Sequence, residues 1–166
     1  MQVLSEGDTA AHFNRIVARE VPGGRGLLAW NALLRAHATL MRQLEADLVS
    51  ETGLALADFD VLAQVALAGG SMRMAELADR ALISRSGMTR RVARLAREGL
   101  VRRGHTDADG RGVVVLLTDS GLDRLTVAAP VHMRGVSKLF VANLDDRELA
   151  VLESALAKVT LDCTFG

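Results

Sequence analysis

Two short helical segments follow one another so closely between residues 74 and 98 that few folds can accommodate them. Helical periodicity covers residues 74–80 and 84–98, and only three residues separate the two segments. Gly99 then stands where a glycine in the left-handed conformation commonly ends a helix. A helix, a tight turn and a second helix of this length predict a helix-turn-helix. Its core has to be largely aliphatic, because the chain has only four Phe, one Trp and no Tyr.

A β-hairpin pattern follows directly. Residues 100–104 and 113–117 are short and β-branched, and the polar, glycine-containing sequence HTDADGRG lies between them. Thr118 supplies a cap for a further helix, which is predicted to run to about Val141 and to be kinked by Pro130. The combination predicts a mainly α fold, a winged helix-turn-helix in which a small β-hairpin forms the wing.

Amphipathic helices are also predicted on both sides of this region. They cover residues 8–20, about 26–50 and a stretch opened by Asp58, and a last helix begins at a capping box formed by Asp145 and Glu148. The last helix is predicted to turn Leu149, Leu152, Leu156 and Val159 inward. The predicted organisation is an N-terminal extension with a short helix at 1–25, a helical region at 26–50 and 119–166, and a winged helix-turn-helix region at 51–118.

Basic residues are concentrated in the middle of the chain, although the formal net charge is zero. Residues 71–111 hold ten Arg against five acidic residues, and the remainder carries an excess of five negative charges. A chain of this kind presents one local surface to a polyanion, while the rest of the molecule is repelled from it. A chance cluster on an ordinary solvated face is the alternative.

The second helix of the pair has two distinct faces. Met88, Val92 and Leu95 form one apolar stripe, and the opposite face carries Arg90 and Arg97 with no acid on it. Clustered like charges repel, so these arginines need an anionic partner. Arg can clamp phosphates or read guanine edges, and Ser and Thr reach either, so the face predicts major-groove binding to double-stranded DNA. The candidate contacts on this helix and the following strand are Ser84, Arg85, Ser86, Thr89, Arg90, Arg94, Arg97 and Arg103.

The hairpin tip adds two candidate contacts, Asp109 and Arg111. An arginine on a narrow hairpin can enter the minor groove, where the potential is most negative. Asp109 can brace the Arg111 guanidinium through a bidentate pair. A surface turn with an incidental ion pair is the alternative interpretation.

The run from Met72 to Gly121 resembles the MarR family of bacterial winged-helix regulators. Four pieces carry the resemblance: the helix AELADRALIS, the recognition helix SRSGMTRRVARLAREGLV, the Asp-x-Arg wing at 109–111, and LLTDSG leading into the next helix. The order of helices is similar over about residues 26–162. The resemblance implies an obligate homodimer formed by N- and C-terminal dimerisation helices, about 8–50 and 119–162.

The same resemblance implies a function. Two recognition helices of a dimer would reach successive major grooves of a pseudo-palindromic operator, and the protein would regulate transcription, in many members as a repressor. Many members release DNA when a small aromatic or anionic effector binds between the dimer helices and the DNA-binding lobe. These properties are expectations for this chain.

Four residues are candidates for an effector site. Trp30 and His37 lie seven residues apart on one face of the long helix, and Phe59 and Asp60 come from the next helix. Aromatic rings can stack on an aromatic ligand while a charged group fixes its polar part. The alternative is that Trp30 and His37 simply pack in the dimer interface. The single cysteine, Cys163, is interpreted as a small apolar residue, because the hydroperoxide-sensing members of the family have a reactive cysteine near the N-terminus with tyrosines nearby.

Other classes of function lack their sequence signatures. The chain has no GxSxG, no phosphate-binding glycine loop, no HExxH and no CxxC, and its four His are scattered, so no catalytic residue, metal or cofactor is predicted. No apolar run approaches the roughly 20 residues of a membrane span, and the N-terminus does not resemble a signal peptide. A cytoplasmic, nucleoid-associated protein is expected. The remaining alternative is a winged-helix protein-interaction module without specific DNA binding.

Overall fold

A computed structural model gives the fold, and it describes residues 6–81, 83–105 and 112–161. The helices are α1 (Glu6–Glu20), α2 (Leu27–Thr52), α3 (Leu56–Leu67), α4 (Met74–Arg80), α5 (Arg85–Arg97), α6 (Asp119–Leu139) and α7 (Asp146–Leu161). The strands are β1 (Ser71–Arg73), β2 (Val101–His105) and β3 (Val113–Leu117), and single 3₁₀ turns lie at Pro22–Gly24 and Val141–Asn143. The predicted mainly α fold with a small β wing is confirmed.

The chain divides into two compact units, Met1–Met41 and Arg42–Gly166, with the boundary inside α2. In the first unit, Pro22 begins the 3₁₀ turn that ends α1, and Gly23 takes a positive φ of 70° there. This is the break that the Pro-Gly-Gly sequence predicts. The large apolar side chains Phe13 and Trp30 of this unit are exposed.

The core of the second unit lies where α3, α4, α5 and the sheet meet. Met88, Val92 and Leu95 of α5 are fully buried, which confirms the apolar stripe of that helix. They pack in one cluster with buried residues from α2, α3, α4 and the sheet, among them Leu48, Leu62, Leu77 and Val115. Burying this stripe fixes α5 with its opposite face toward solvent.

The wing is a three-stranded antiparallel sheet in the order β1-β3-β2, whereas the sequence predicted only two strands. The additional strand, β1, pairs Met72 with Val115 of β3, and the Gly70 carbonyl accepts a hydrogen bond of 2.9 Å from the Leu117 amide. Three residues between a glycine pair and a helix are too few to display the alternation that identifies a strand. The strand joins the wing to the start of α4.

Side-chain caps define several helix ends. The Ser84 hydroxyl accepts a hydrogen bond from the Gly87 amide at the start of α5, and the Thr118 hydroxyl accepts one from the Gly121 amide at the start of α6. The predicted capping box before α7 is confirmed, since Asp145 and Glu148 each accept a hydrogen bond from the other's amide. α6 continues through Pro130 as one helix.

The start of α3 differs from the prediction. The helix begins at Leu56, and Asp58 lies within its first turn. The reason is a cap from a distant element, because a Glu45 carboxylate oxygen on α2 accepts a hydrogen bond of 2.6 Å from the Leu56 amide. Local sequence carries no signal for a cap contributed by a side chain eleven residues away.

The last helix also differs in part. Leu149, Leu152 and Leu156 of α7 are half-buried, but Val159 is 58% exposed, so the prediction that it points inward is wrong for this single chain. Val151, two turns earlier in the helix, is exposed as well. The described part of α7 contains no fully buried residue.

Candidate nucleic-acid interface

The exposed face of α5 carries most of the predicted contact residues. Ser84, Arg85, Ser86, Thr89, Arg90 and Arg97 are exposed, and Ala93 is half-buried among them. Within the described ranges, Arg85, Arg90 and Arg97 take part in no ion pair. The face therefore offers hydroxyl groups near the N-terminus of the helix and uncompensated guanidinium groups along its length.

Two acidic residues pair with arginines of this helix, and neither pairs with Arg90 or Arg97 of the exposed face. The Asp58 carboxylate of α3 is buried, and one oxygen, Oδ1, accepts hydrogen bonds from Arg91 Nη1 at 2.8 Å and from Arg94 Nη2 at 2.5 Å. Arg94 Nη1 also pairs with Glu98 at 3.2 Å. The hydrogen bond to Asp58 raises the pKa of Arg94 above its ordinary value, so this guanidinium stays charged.

The contacts of Asp58 with Arg91 and Arg94 were not predicted from the sequence, where Asp58 was interpreted as the opening of a helix. Its spacing contains a signal, since Asp58 stands three, four and seven residues before buried Val61, Leu62 and Val65. That spacing puts the carboxylate on the buried face of α3, where an acid requires a cationic partner.

Arg103 connects the wing to the recognition helix. Its guanidinium Nη2 on β2 donates a hydrogen bond of 3.0 Å to the main-chain carbonyl of Thr89 on α5. The Thr89 hydroxyl donates in turn to the Arg85 carbonyl at 2.9 Å. Arg103 thus braces α5 against the sheet.

A shallow basic groove of about 390 Å³ runs beside the exposed face. It is lined by Ile83, Gly87, Arg90, Arg91, Arg94 and Arg97. An added Cβ at Gly87 would come within 2.9 Å of Ile83 Cγ2, so the glycine permits close approach of the turn to the helix. Four arginines around one groove create a positive potential suited to phosphate groups.

The two predicted wing-tip contacts, Asp109 and Arg111, lie outside the described residues, as does Cys163. The strands that lead to the tip, β2 and β3, pair over their full length from Val101 with Leu117 to His105 with Val113.

The four predicted effector residues lie in both units. Trp30 and His37 belong to the first unit, and both are exposed. In the second unit Phe59 is buried in the core, and its ring centroid lies 4.6 Å from that of His132 on α6. Burial lowers the pKa of His132, which half-buried Asp60 partly opposes, and His132 Nδ1 has no hydrogen-bond partner among the described residues.

The described ranges contain no group of three or more His, Cys, Asp and Glu side chains arranged to hold a metal ion. No helix in the part of the chain that the structure describes has the length and apolar character needed to cross a membrane.

A basic helix presented by a helix-turn-helix, with a three-stranded wing beside it, defines the class of winged-helix DNA-binding proteins. Comparison with known proteins agrees with this class. Residues 52–112 match the model of the MarR family. An uncharacterized HTH-type transcriptional regulator from Bacillus cereus is 29% identical over 134 residues, or 81% of this chain and 88% of that protein.

Two solved structures extend the comparison. Sco3205 from Streptomyces coelicolor, a MarR family transcriptional regulator in complex with DNA, superposes with a TM-score of 0.79 at 29% identity, covering 84% of this chain and 92% of the other. A mutant MarR from E. coli complexed with operator DNA superposes with a TM-score of 0.70 at 28% identity, covering 86% of this chain and 96% of the other. The winged-helix region of the chain thus matches the MarR family model, and most of the chain is similar to these MarR family transcriptional regulators.

Proposed function

We propose that this chain is a sequence-specific transcriptional repressor that binds a pseudo-palindromic operator as a homodimer. The observation that carries the proposal is the exposed face of α5, on which Arg90 and Arg97 have no protein counter-charge among the described residues. The two similar proteins solved with DNA support the same use of the fold. Repression is proposed because bound DNA would be blocked to other proteins.

The proposed contacts follow from what each side chain is free to do. The exposed hydroxyl residues of this segment and its exposed arginines that take part in no ion pair among the described residues are assigned to DNA. They are Ser84, Arg85, Ser86, Thr89, Arg90 and Arg97. Asp109 and Arg111 are assigned to the minor groove at the wing tip. Arg94 and Arg103 are assigned to bracing α5, because their guanidinium groups already donate to Asp58 and to the Thr89 carbonyl.

The homodimer is proposed from apolar surface that a single chain leaves uncovered. α7 exposes Val151 and Val159, and α6 exposes Val127 and Met133. A groove of about 520 Å³ runs along α7 between Leu144 and Ala155. Contiguous exposed apolar side chains of this kind commonly mark a protein interface, and a second copy offers the same helices in return.

Sedimentation velocity checks the homodimer. At micromolar concentration we expect a single species with twice the mass of the chain. Replacement of Val151 and Val159 by Glu should shift that species toward the monomer, because two charges would be buried against the apolar partner face. The matched control places Glu on exposed Ala150 and Ala157 of the same helix and should leave the dimer intact. A folded monomer of the unmodified protein would contradict the proposal.

Effector control is part of the proposed function. Trp30 and His37 of the first unit remain candidate residues for a small aromatic or anionic molecule, and so, separately, do Phe59 and Asp60 of the second unit. Phe59 is buried in the core, and its ring packs against the ring of His132. Its proposed role is therefore to support His132 and not to contact the ligand.

The decisive experiment measures binding to duplex DNA at several salt concentrations. Fluorescence anisotropy with a pseudo-palindromic duplex from the DNA next to the gene should give a Kd that rises steeply with salt. Neutralising about four phosphates would give a slope of log Kd against log salt near 4. A scrambled duplex should bind at least 1,000-fold more weakly, on the order of what specific regulators achieve. Salt-independent or absent duplex binding would favour the protein-interaction module instead.

A further inference from the structure

Two arginines of the recognition helix converge on one buried carboxylate. Asp58 is only 2% exposed, and its Oδ1 receives Arg91 at 2.8 Å and Arg94 at 2.5 Å. The contacts join residues 33 and 36 positions apart in sequence, so they tie α3 to α5. Arg94 is held a second time by Glu98.

These contacts divide the four arginines that line the groove of α5 into two sets. Arg91 and Arg94 are 27% and 41% exposed in their side chains and paired inward, whereas Arg90 and Arg97 are exposed and unpaired among the described residues. All four line the same groove. Without Asp58, nothing on α3 would hold Arg91 and Arg94 away from a phosphate backbone at that groove.

The position of Asp58 makes its charge effective. It lies in the first turn of α3, where the helix dipole favours an anion, and it faces the core side of α5. A buried carboxylate without a partner destabilises the folded state. Asp58 therefore needs the two arginines, and the same ion pairs hold the two arginines in place. The cluster therefore has one stable arrangement.

We propose that Asp58 is a specificity-determining positioning residue, which withholds Arg91 and Arg94 from the DNA backbone and so limits sequence-independent binding. This inference rests on the proposed DNA-binding function. Phosphate contacts supply essentially all of non-specific affinity, and each additional cation that reaches a phosphate strengthens binding to every sequence alike. Keeping two arginines inward lowers that background while Arg90 and Arg97 remain available to read the operator.

The test compares Asp58→Asn with the unmodified protein on operator and scrambled duplexes. Asparagine keeps the shape and removes the charge, which releases the two arginines. We expect scrambled DNA to bind at least about threefold more tightly at 0.1 M salt, with a salt slope steeper by roughly one for each arginine that reaches a phosphate. The ratio of operator to scrambled affinity should fall by a similar factor or more.

Glu76→Gln is the matched control. It removes the same charge from the DNA-binding region, but among the described residues Glu76 pairs with exposed Arg80 on its own helix and with no arginine of α5, so the ratio of operator to scrambled affinity and the salt slope should both stay at the unmodified values. A merely structural role for Asp58 would lower the melting temperature and weaken both duplexes together without steepening the slope. That outcome overturns the inference.

A second variant covers the case in which Asp58→Asn does not fold. Replacing Asp58 with Asn together with Arg91→Gln and Arg94→Gln removes the whole charged cluster and leaves no unpaired charge. The salt slope of this triple variant should equal that of the unmodified protein, because the withheld arginines contribute no phosphate contact. A slope shallower by one or two would show that they contact DNA and would overturn the inference. If the unmodified protein itself shows no salt-dependent duplex binding, the proposed function fails instead.

Discussion

The double variant Arg90→Gln/Arg97→Gln is expected to lose operator affinity by about 3 kcal/mol, or roughly 100-fold in Kd. Like Arg85 at the start of the helix, these two arginines of α5 are exposed and take part in no ion pair in the described part of the chain. In the proposed complex, losing them would remove at least one base or phosphate contact per recognition helix. Anisotropy titration on the operator duplex at fixed salt measures the change.

A charge-matched control separates contact from net charge. Arg15→Gln/Arg147→Gln removes two exposed positive charges from α1 and α7 and leaves α5 unchanged. We expect its operator affinity to stay within about threefold of the unmodified protein, because neither residue belongs to α5 or lines its basic groove. If both double variants lose affinity equally, the assignment of the α5 face to DNA is incorrect.

The second large effect concerns stability. Gly121→Ala should lower the free energy of unfolding by about 3 kcal/mol. This is the upper end of the range of destabilisation that is typical of overpacked core sites. A Cβ on Gly121 would overlap the Leu100 carbonyl oxygen and lie 2.8 Å from Leu117 Cδ1. The backbone at Leu100 cannot retreat, since its carbonyl also accepts a hydrogen bond from the Thr118 amide, and the Thr118 hydroxyl donates to Gly99.

Gly135→Ala in the same helix is the comparison for this measurement. There an added Cβ would come within 2.6 Å of the end of the Leu44 side chain, a flexible group rather than backbone, and alanine gains helix propensity. Its stability should therefore change by less than about 1 kcal/mol. Urea denaturation at one fixed protein concentration compares the two variants, because the stability of the proposed dimer would depend on concentration. Equal midpoints would contradict the proposed steric origin.

Elements with strong local signals were predictable from sequence. The bounds of α4, the apolar stripe of α5 and the capping box before α7 depend on spacing and on neighbouring side chains, and the structure confirms them. β1 was missed because its strand character comes only from pairing with β3. The start of α3 was misplaced because Glu45 caps it from another helix.

The candidate interface was predictable in part for the same reason. Helical spacing alone is enough to separate the exposed and buried faces of α5. The engagement of Arg94 depends on Asp58, thirty-six residues earlier, and that of Arg103 depends on a main-chain carbonyl, which no residue type reveals. Tertiary partners of this kind decide which arginines remain available to bind DNA. A single sequence does not show these partners, so every arginine of the segment looks equally available.

The bond from Arg103 to the Thr89 carbonyl has a consequence for the thermodynamics of binding. It fixes the angle between α5 and strand β2 before any DNA arrives. The conformational entropy of ordering helix and wing strand relative to each other is therefore lost when the chain folds and not again when it associates. Binding to DNA should then show a heat-capacity change that reflects the buried contact area alone, without the additional contribution of coupled folding in these described elements.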